Sequence, residues 1–325
     1  MQTWGPQAHG HSLIFGAPFY LLNPMRETDL IALIQRLNAA KAPGLVKGIG
    51  DDCAILRPKA GEDILITTDF LLEAVHFLRE THSAADCGWK ALARGLSDIA
   101  AMGGAPRYAL VSLALAPWSD GRWVRNFYGG MQRLARRYGV VIAGGDLTKS
   151  DKVLCDIVVL GAVKRGRALC RNGARPGDRL YVTGLLGGSA LGLETQKGAA
   201  WKRHLRPEPR IEAGLALAMR LNATACMDLS DGLALDLHRL CTESGCGAEL
   251  NESLPLFPGA SMQQALSGGE DYELLFAAPA DRRIPGSIAG LPVTPIGRCL
   301  KGKPGRILLH GKPLPVSGWD PFRER

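Results

Sequence analysis

Five acidic segments set far apart along the chain do most to restrict how it can fold. They are Asp51-Asp52 inside Gly48-Ile49-Gly50-Asp51-Asp52-Cys53-Ala54, Asp69 after Ile64-Leu65-Ile66-Thr67-Thr68, Asp98 in Leu96-Ser97-Asp98-Ile99, Asp146 after Gly144-Gly145, and Asp228-Leu229-Ser230-Asp231-Gly232. Most follow an apolar, strand-like run, the position that forms the mouth of a ligand crevice in α/β proteins. Two carboxylates about 4 Å apart repel by about 4 kcal/mol at an effective dielectric of about 20, so a fold that gathers these acids must also gather cations. Oxygen-only donors on a hard cation predict magnesium carrying a nucleotide.

The chain has 325 residues, 46% of them hydrophobic, enough to bury a full core and to form two domains. Its longest apolar run, Ala109 to Ala116, is far too short to span a bilayer and reads as a buried strand. No membrane partner is predicted. The apolar patch from Leu13 to Leu22 has neither a basic leader before it nor a small-residue cleavage site after it, which argues against a secretory signal. The eight cysteines make no CxxC pair and no zinc-finger spacing, so they read as reduced, buried thiols in a cytoplasmic protein. The formal charge of +8 is spread over scattered Lys and Arg, which predicts attraction for phosphorylated metabolites and not a nucleic-acid surface.

In chain order, residues 1–24 read as a disordered leader. Leu30, Ile31, Leu33, Ile34 and Leu37 follow at helical spacing. Strands are predicted over Ala54–Leu56 and Ile64–Thr68, with Asp69 emerging at the end of the second. Ser83 and Asp86 make a capping-box-like start for a helix reaching about Met102, where Gly103-Gly104 and Pro106 stop it. A strand over Tyr108–Leu115, a helix over Asp120–Tyr138 and strands over Val140–Ala143 and Cys155–Val163 complete the first unit. Composition then turns basic around Arg165, Arg167 and Arg171, which places the boundary between a first domain, 25–167, and a second, 168–325. The second restarts an α/β pattern, with a glycine loop at Gly187-Gly188, a helix after Gly232 and the segment Gly268-Gly269-Glu270-Asp271 before a strand over Tyr272–Phe276.

Taken singly, these motifs admit plain readings. Asp98 stands four residues after Arg94, the spacing of a helix-surface ion pair. Ser230 or Asp231 could cap the helix that follows, and a calcium loop is excluded because Gly at the sixth and Glu at the twelfth position are missing. Gly302-Lys303 and Gly311-Lys312 are each followed by Pro, so there is no Walker loop, and the protein-kinase His-Arg-Asp and Asp-Phe-Gly signatures are absent too.

As an ordered set, however, the five acidic segments with Val75-His76-Phe77, Leu96 to Gly103 and Ser267-Gly268-Gly269-Glu270-Asp271-Tyr272-Glu273-Leu274 closely resemble the thiamine-monophosphate kinases. The wider superfamily includes aminoimidazole-ribonucleotide synthetase and selenophosphate synthetase. The resemblance implies an α/β (α+β) fold of two domains, with N-terminal strands forming a barrel that spans a homodimer and a C-terminal α/β domain. It implies several magnesium ions held by Asp52, Thr67, Thr68, Asp69, Asp98, Asp146, Asp228 and Asp231. ATP contacts fall on Tyr128, Gly145, Asp146, Arg171 and Ser230, and thiamine monophosphate contacts on His76, Glu270 and Trp319. The acceptor is then a phosphate oxygen already ionised near neutral pH, so no general base is expected and catalysis is positioning plus charge neutralisation. The alternative on the same fold is an ATP-dependent cyclising ligase. Selenophosphate synthesis lacks its reactive early Cys, and a non-catalytic scaffold would not keep every acid.

Overall fold

The structure is a computed structural model that describes residues 27–38, 43–47, 49 and 54–322. The predicted leader, 1–24, and the predicted magnesium ligand Asp52 lie outside the described residues. The first half runs α1 (Glu27–Leu37), β1 (Leu45–Lys47), β2 (Ile55–Leu56), β3 (Glu62–Leu72), α2 (Ala84–Ala101), β4 (Ala105–Leu115), α3 (Gly121–Tyr138), β5 (Val141–Lys149) and β6 (Leu154–Lys164). The second half contains β7 (Arg179–Thr183), α4 (Gly188–Thr195), α5 (Gly198–Leu205), α6 (Ile211–Ala216), β8 (Ala225–Asp228), α7 (Leu233–Glu243), β9 (Gly247–Leu250), α8 (Met262–Ser267), β10 (Leu274–Ala278), β11 (Ser287–Ile288), β12 (Leu291–Leu300), β13 (Ile307–Leu309) and β14 (Lys312–Pro313).

Helix α2 is the spine of the first half. Ser83 caps it, its Oγ accepting from the Asp86 N–H at 3.2 Å and donating to Asp86 Oδ2 at 2.6 Å, as the sequence predicts. Fourteen of its eighteen residues are buried because it is sandwiched between the sheet, α3 and α6. The crossing with α3 is so close that a Cβ on Gly88 would stand 1.9 Å from the Phe127 carbonyl oxygen, so glycine is required there.

The first sheet has the order β3-β6-β4-β5, with all neighbours antiparallel except β4 and β5. One face lies on α2. On the other, Ile64, Ile66 and Phe70 are exposed, Ile66 by 67%. The second sheet, in the order β14-β13-β9-β12-β7-β10-β8, is also mainly antiparallel, and its strands β8 and β10 are buried along their whole length.

Two strand ends differ from expectation. β3 continues past Asp69 to Leu72 and β5 past Asp146 to Lys149, because their partners continue: Phe70 pairs with Asp156 and Asp146 with Ser112. These acids therefore project from the middle of their strands, Asp69 from an antiparallel and Asp146 from a parallel pair, not from a row of strand ends. A helix that sequence periodicity did not show, α5, packs on α4.

Candidate active site

The face of α2 turned to β3 carries Lys90, Arg94 and Asp98, one turn apart. Four helical residues rise about 6 Å and two strand residues about 6.6 Å, so an antiparallel strand can answer this face at every second position. It does so: Arg94 Nη2 donates to Asp69 Oδ1 at 3.2 Å, and Thr67 Oγ1 donates to Asp98 Oδ2. Arg94 thus reaches across to the strand and not along the helix to Asp98. Thr68, between them, points to the opposite face, where its Oγ1 donates to Asp156 Oδ1 at 2.6 Å.

The second half closes the site from the other side. β8 ends in Asp228, 4% exposed, whose Oδ2 accepts from Ser97 Oγ at 2.7 Å. Burial pushes Asp98 above the ordinary carboxylate range and the neighbouring Asp228 and Asp69 add to it, while burial likewise raises Asp228. Burial also raises Asp69, against the pull of Arg94. These acids converge with too little positive charge around them.

Two cavities meet at this acidic wall. The first, about 660 Å³, runs between β3 and α2 on one side and Cys226, Met227 and Arg171 on the other. The second, about 1430 Å³, is lined by Asp69, His76, Arg94, Ser230, Asp231, Glu270 and Trp319 among others. Asp98 and Asp228 line both. Each is of a size to take a nucleotide or small metabolite.

At the far end of the second cavity Lys90, fully buried, donates to Glu270 Oε2 at 2.7 Å and to the His76 carbonyl oxygen at 3.3 Å. Burial works to raise the Glu270 carboxyl, but Lys90, His204 and Arg94 outweigh it and hold it at about 2. His76 is lowered to about 4 by burial and by Arg94, so its ring is neutral at pH 7 and accepts from the Leu72 N–H at 3.0 Å. The backbone is left-handed at Glu270 (φ 66°) and at Tyr272 (φ 51°), a strained geometry that concentrates at functional sites. It is pinned by its neighbours: Asp271 accepts from the Gly187 and Ser189 N–H groups, and buried Glu273 accepts from Arg203, Arg210 and Thr183. Of this acidic motif, Glu270 faces the cavity and the other two acids are structural.

The loop after β8 brings Ser230 and Asp231 to the same cavity. Asp231 pairs with Arg239, and its carbonyl oxygen accepts from the Trp319 N–H at 2.9 Å, which ties the C-terminal segment to the wall. Other predicted residues are not drawn in. Asp146 and Gly145 are exposed on edge strand β5, Asp146 on the sheet face opposite Asp69, and line neither cavity. Gly145 (φ 153°) serves the sheet, since a Cβ there would meet the Val111 carbonyl oxygen at 2.0 Å. Tyr128 is 2% exposed within the α2–α3 core against Phe127, away from both cavities. Conversely, sequence singled out neither Lys90 nor Asp156, and gave Arg94 only as a surface ion-pair partner of Asp98. Lys90 and Arg94 share the Asp98 face at helical spacing, which was a usable signal; Asp156 had none.

The donor set suits magnesium. Thr67, Asp69, Asp98 and Asp228 offer oxygen alone, and burial raises all three carboxyls, which a bound cation would offset. Among the described residues no three His, Cys, Asp or Glu side chains form a ready-made metal cage. Magnesium is commonly held in this open way, by one or two carboxylates with water and substrate phosphates completing the shell.

Comparison with known proteins agrees with this picture. Residues 50–163 match the family model "AIR synthase related protein, N-terminal domain" and residues 175–307 the corresponding C-terminal domain. The chain is 39% identical over 302 residues to the thiamine-monophosphate kinase of Escherichia coli K12, covering 85% of this chain and 91% of that one. Among solved structures it superposes on the thiamine-monophosphate kinase of Stenotrophomonas maltophilia K279a with a TM-score of 0.78 at 36% identity, covering 86% of this chain and 96% of that chain. It superposes on AaThiL complexed with AMPPCP and TMP with a TM-score of 0.73 at 34% identity, covering 92% of this chain and all of the other.

Proposed function

The chain belongs to the AIR synthase-related family, among its thiamine-monophosphate kinases, and from that membership we infer that it transfers the terminal phosphoryl group of ATP to thiamine monophosphate, giving thiamine diphosphate and ADP. The observation that carries this reading is the wall common to the two cavities. Two phosphorylated molecules, one in each cavity, would meet end to end at Asp98 and Asp228.

In this reading the first cavity takes the nucleotide, with Arg171 as a planar fork for its phosphates. The second takes thiamine monophosphate, with His76 and Trp319 against its rings and Glu270 facing its cationic or amine groups. The acceptor oxygen is already ionised, so no side chain here removes a proton. Asp69, Asp98 and Asp228 with Thr67 would hold magnesium, joined by Asp231 and by Asp52 beyond the described residues. When bound, the metal supplies charge neutralisation between two anions. Ser97 and Thr67 fix the carboxylate oxygens they donate to, and the pinned Glu270 backbone holds the acceptor's rings in register.

We also propose a homodimer built on the open face of the first sheet, where Ile64, Ile66 and Phe70 are exposed on a strand that is otherwise well packed. That face also carries Thr68, Asp156 and Asp146, which a partner would cover. Sedimentation of a monomer at micromolar concentration would end that idea. The cytoplasm is the proposed compartment. In support, the seven described cysteines are free thiols, six of them buried, and among the described residues no helix is long and apolar enough to cross a membrane.

Incubation with Mg-ATP and thiamine monophosphate tests the activity directly. Mass spectrometry is expected to find thiamine diphosphate and ADP in equal amounts with no inorganic phosphate. A cyclising ligase would instead release inorganic phosphate with its ADP, and ADP formation that ignores thiamine monophosphate would overturn the reading.

A further inference from the structure

Midway along the second cavity stands a cation that the activity described above does not use. Arg94 projects from α2 one turn after Lys90 and one turn before Asp98, so it lies about 6 Å along the helix from each. Lys90 marks the ring end through Glu270, and Asp98 marks the wall shared with the nucleotide cavity. The Arg94 side chain is 14% exposed and lines the cavity. Its guanidinium has five donors. One of them, on Nη2, reaches Asp69 Oδ1 at 3.2 Å, a single long contact. Nε and Nη1 are buried and have no hydrogen-bond partner.

Buried guanidinium donors left unpaired are unfavourable unless a ligand completes them. Burial opposes the charge on Arg94, but Tyr272, Asp69 and Glu270 around it favour the charged form, so it is a permanent cation. The same cavity holds a complementary orphan, Glu270 Oε1, also buried without a partner. The unsatisfied groups thus describe their ligand. It must be anionic at Arg94 and must bring a cationic or N–H-donating group to Glu270.

We propose that Arg94 holds the phosphate of the acceptor through its unsatisfied guanidinium donors, with Nη1 and the second N–H of Nη2 as the parallel pair, orienting it toward the wall at Asp98 and Asp228 and selecting phosphorylated over unphosphorylated thiamine. The inference rests on the kinase reading and adds to it a residue that sets acceptor specificity. A planar fork suits the task because two parallel N–H donors fix the orientation of a phosphate as well as its position. Asp69 takes one N–H of Nη2, and Nη1 beside it has no partner in the protein.

The test uses the full chain with Arg94→Met and Arg94→Lys, comparing binding of thiamine monophosphate with binding of thiamine, alongside steady-state kinetics. In Arg94→Met the preference for the monophosphate is expected to fall by roughly tenfold or more, the size of a lost pair of charge-assisted hydrogen bonds, with a matching rise in KM for the acceptor. The KM for ATP should stay within about twofold, since an effect confined to one substrate marks lost binding of that substrate. Arg94→Lys keeps the charge without the fork and is expected to fall between the two. Should Arg94→Met not fold, Arg94→Lys with its melting temperature checked carries the test alone, and a phosphate preference equal to that of the parent overturns the proposal. An unchanged preference in folded Arg94→Met, or an equal loss for both substrates, overturns it too. Failure of the parent enzyme to make thiamine diphosphate would instead remove the kinase reading, so the two failures are distinguishable.

Discussion

At the wall between the cavities, Asp98 and Asp228 are set beside each other with a hydroxyl apiece, from Thr67 and Ser97. At the far end of the same cleft Glu270 is half-buried and faces the Lys90 ammonium at 2.7 Å, with His204 and Arg94 nearby. The carboxyl group is consequently driven in opposite directions: Glu270 is held at about 2, whereas burial pushes Asp98 and Asp228 up, with Asp228 and Asp69 adding to Asp98 and Asp236 and Asp69 adding to Asp228. The ring end is complete as soon as the chain folds. The acidic end remains short of positive charge until divalent cations and their phosphates arrive, so folding and function pull apart there and coincide at the other end.

Removing one charge from each end should therefore have opposite consequences. Lys90→Met leaves Glu270 without its counter-ion in a buried setting, a change that typically destabilises by about 3–5 kcal/mol. Urea denaturation at pH 7 reads it, and a loss below about 1 kcal/mol would show that the two ends are not as different as drawn. Asp228→Asn removes a charge from the crowded end. Turnover is expected to drop by about 10²- to 10³-fold, the scale seen when one electrostatic contact to a reacting group is lost. The metal-free melting temperature should not fall. A variant that keeps more than about a tenth of parental turnover, or that melts as early as Lys90→Met, would break the comparison at its acidic end.

How much of this was legible beforehand depends on the range over which each signal acts. Local signals served well: Ser83 with Asp86 starts α2 as read from the chain, and Asp120 caps α3, its Oδ1 accepting from the Trp123 N–H at 2.8 Å. The convergence of Asp98 and Asp228, 130 residues apart, was legible through the motif pattern and not through spacing. Pairing between strands was not. Where β3 and β5 end is decided by β6 and β4, so Asp69 and Asp146 turned out to be mid-strand residues. Alternation then sends Thr67 and Thr68, neighbours in one motif, to opposite faces. Arg94 shows the same limit. Its spacing to Asp98 fits a helix-surface pair, but an antiparallel strand against the helix offers Asp69 at the matching height and takes it instead.

The finest test of the comparison is its dependence on pH, where the two ends carry opposite signs. Asp228 has its folded value raised above the ordinary 3.8, so the metal-free folded protein keeps a proton that the unfolded chain has lost. Its contribution to stability is most favourable at or below pH 3.8 and declines as pH rises toward neutrality. Glu270, lowered from 4.5 to about 2, contributes stability above pH 4.5 and loses it as pH falls toward 2. His76 and His82, each lowered from 6.5 to about 4 by burial, likewise contribute above pH 6.5 and lose it on acidification. Whole-protein curves mix these trends, but the difference between parent and Asp228→Asn isolates the acidic end, because the other groups are common to both. Without metal, the variant should gain on the parent as pH rises from about 4 to 7, by no more than about 1.4 kcal/mol per pH unit at the steepest point. Saturating magnesium should reverse the gap in favour of the parent, since the ligand stabilises the form that binds it better. A difference that stays flat with pH, with and without magnesium, would mean that Asp228 is as fully neutralised in the folded chain as Glu270, and the contrast between the two ends would be lost.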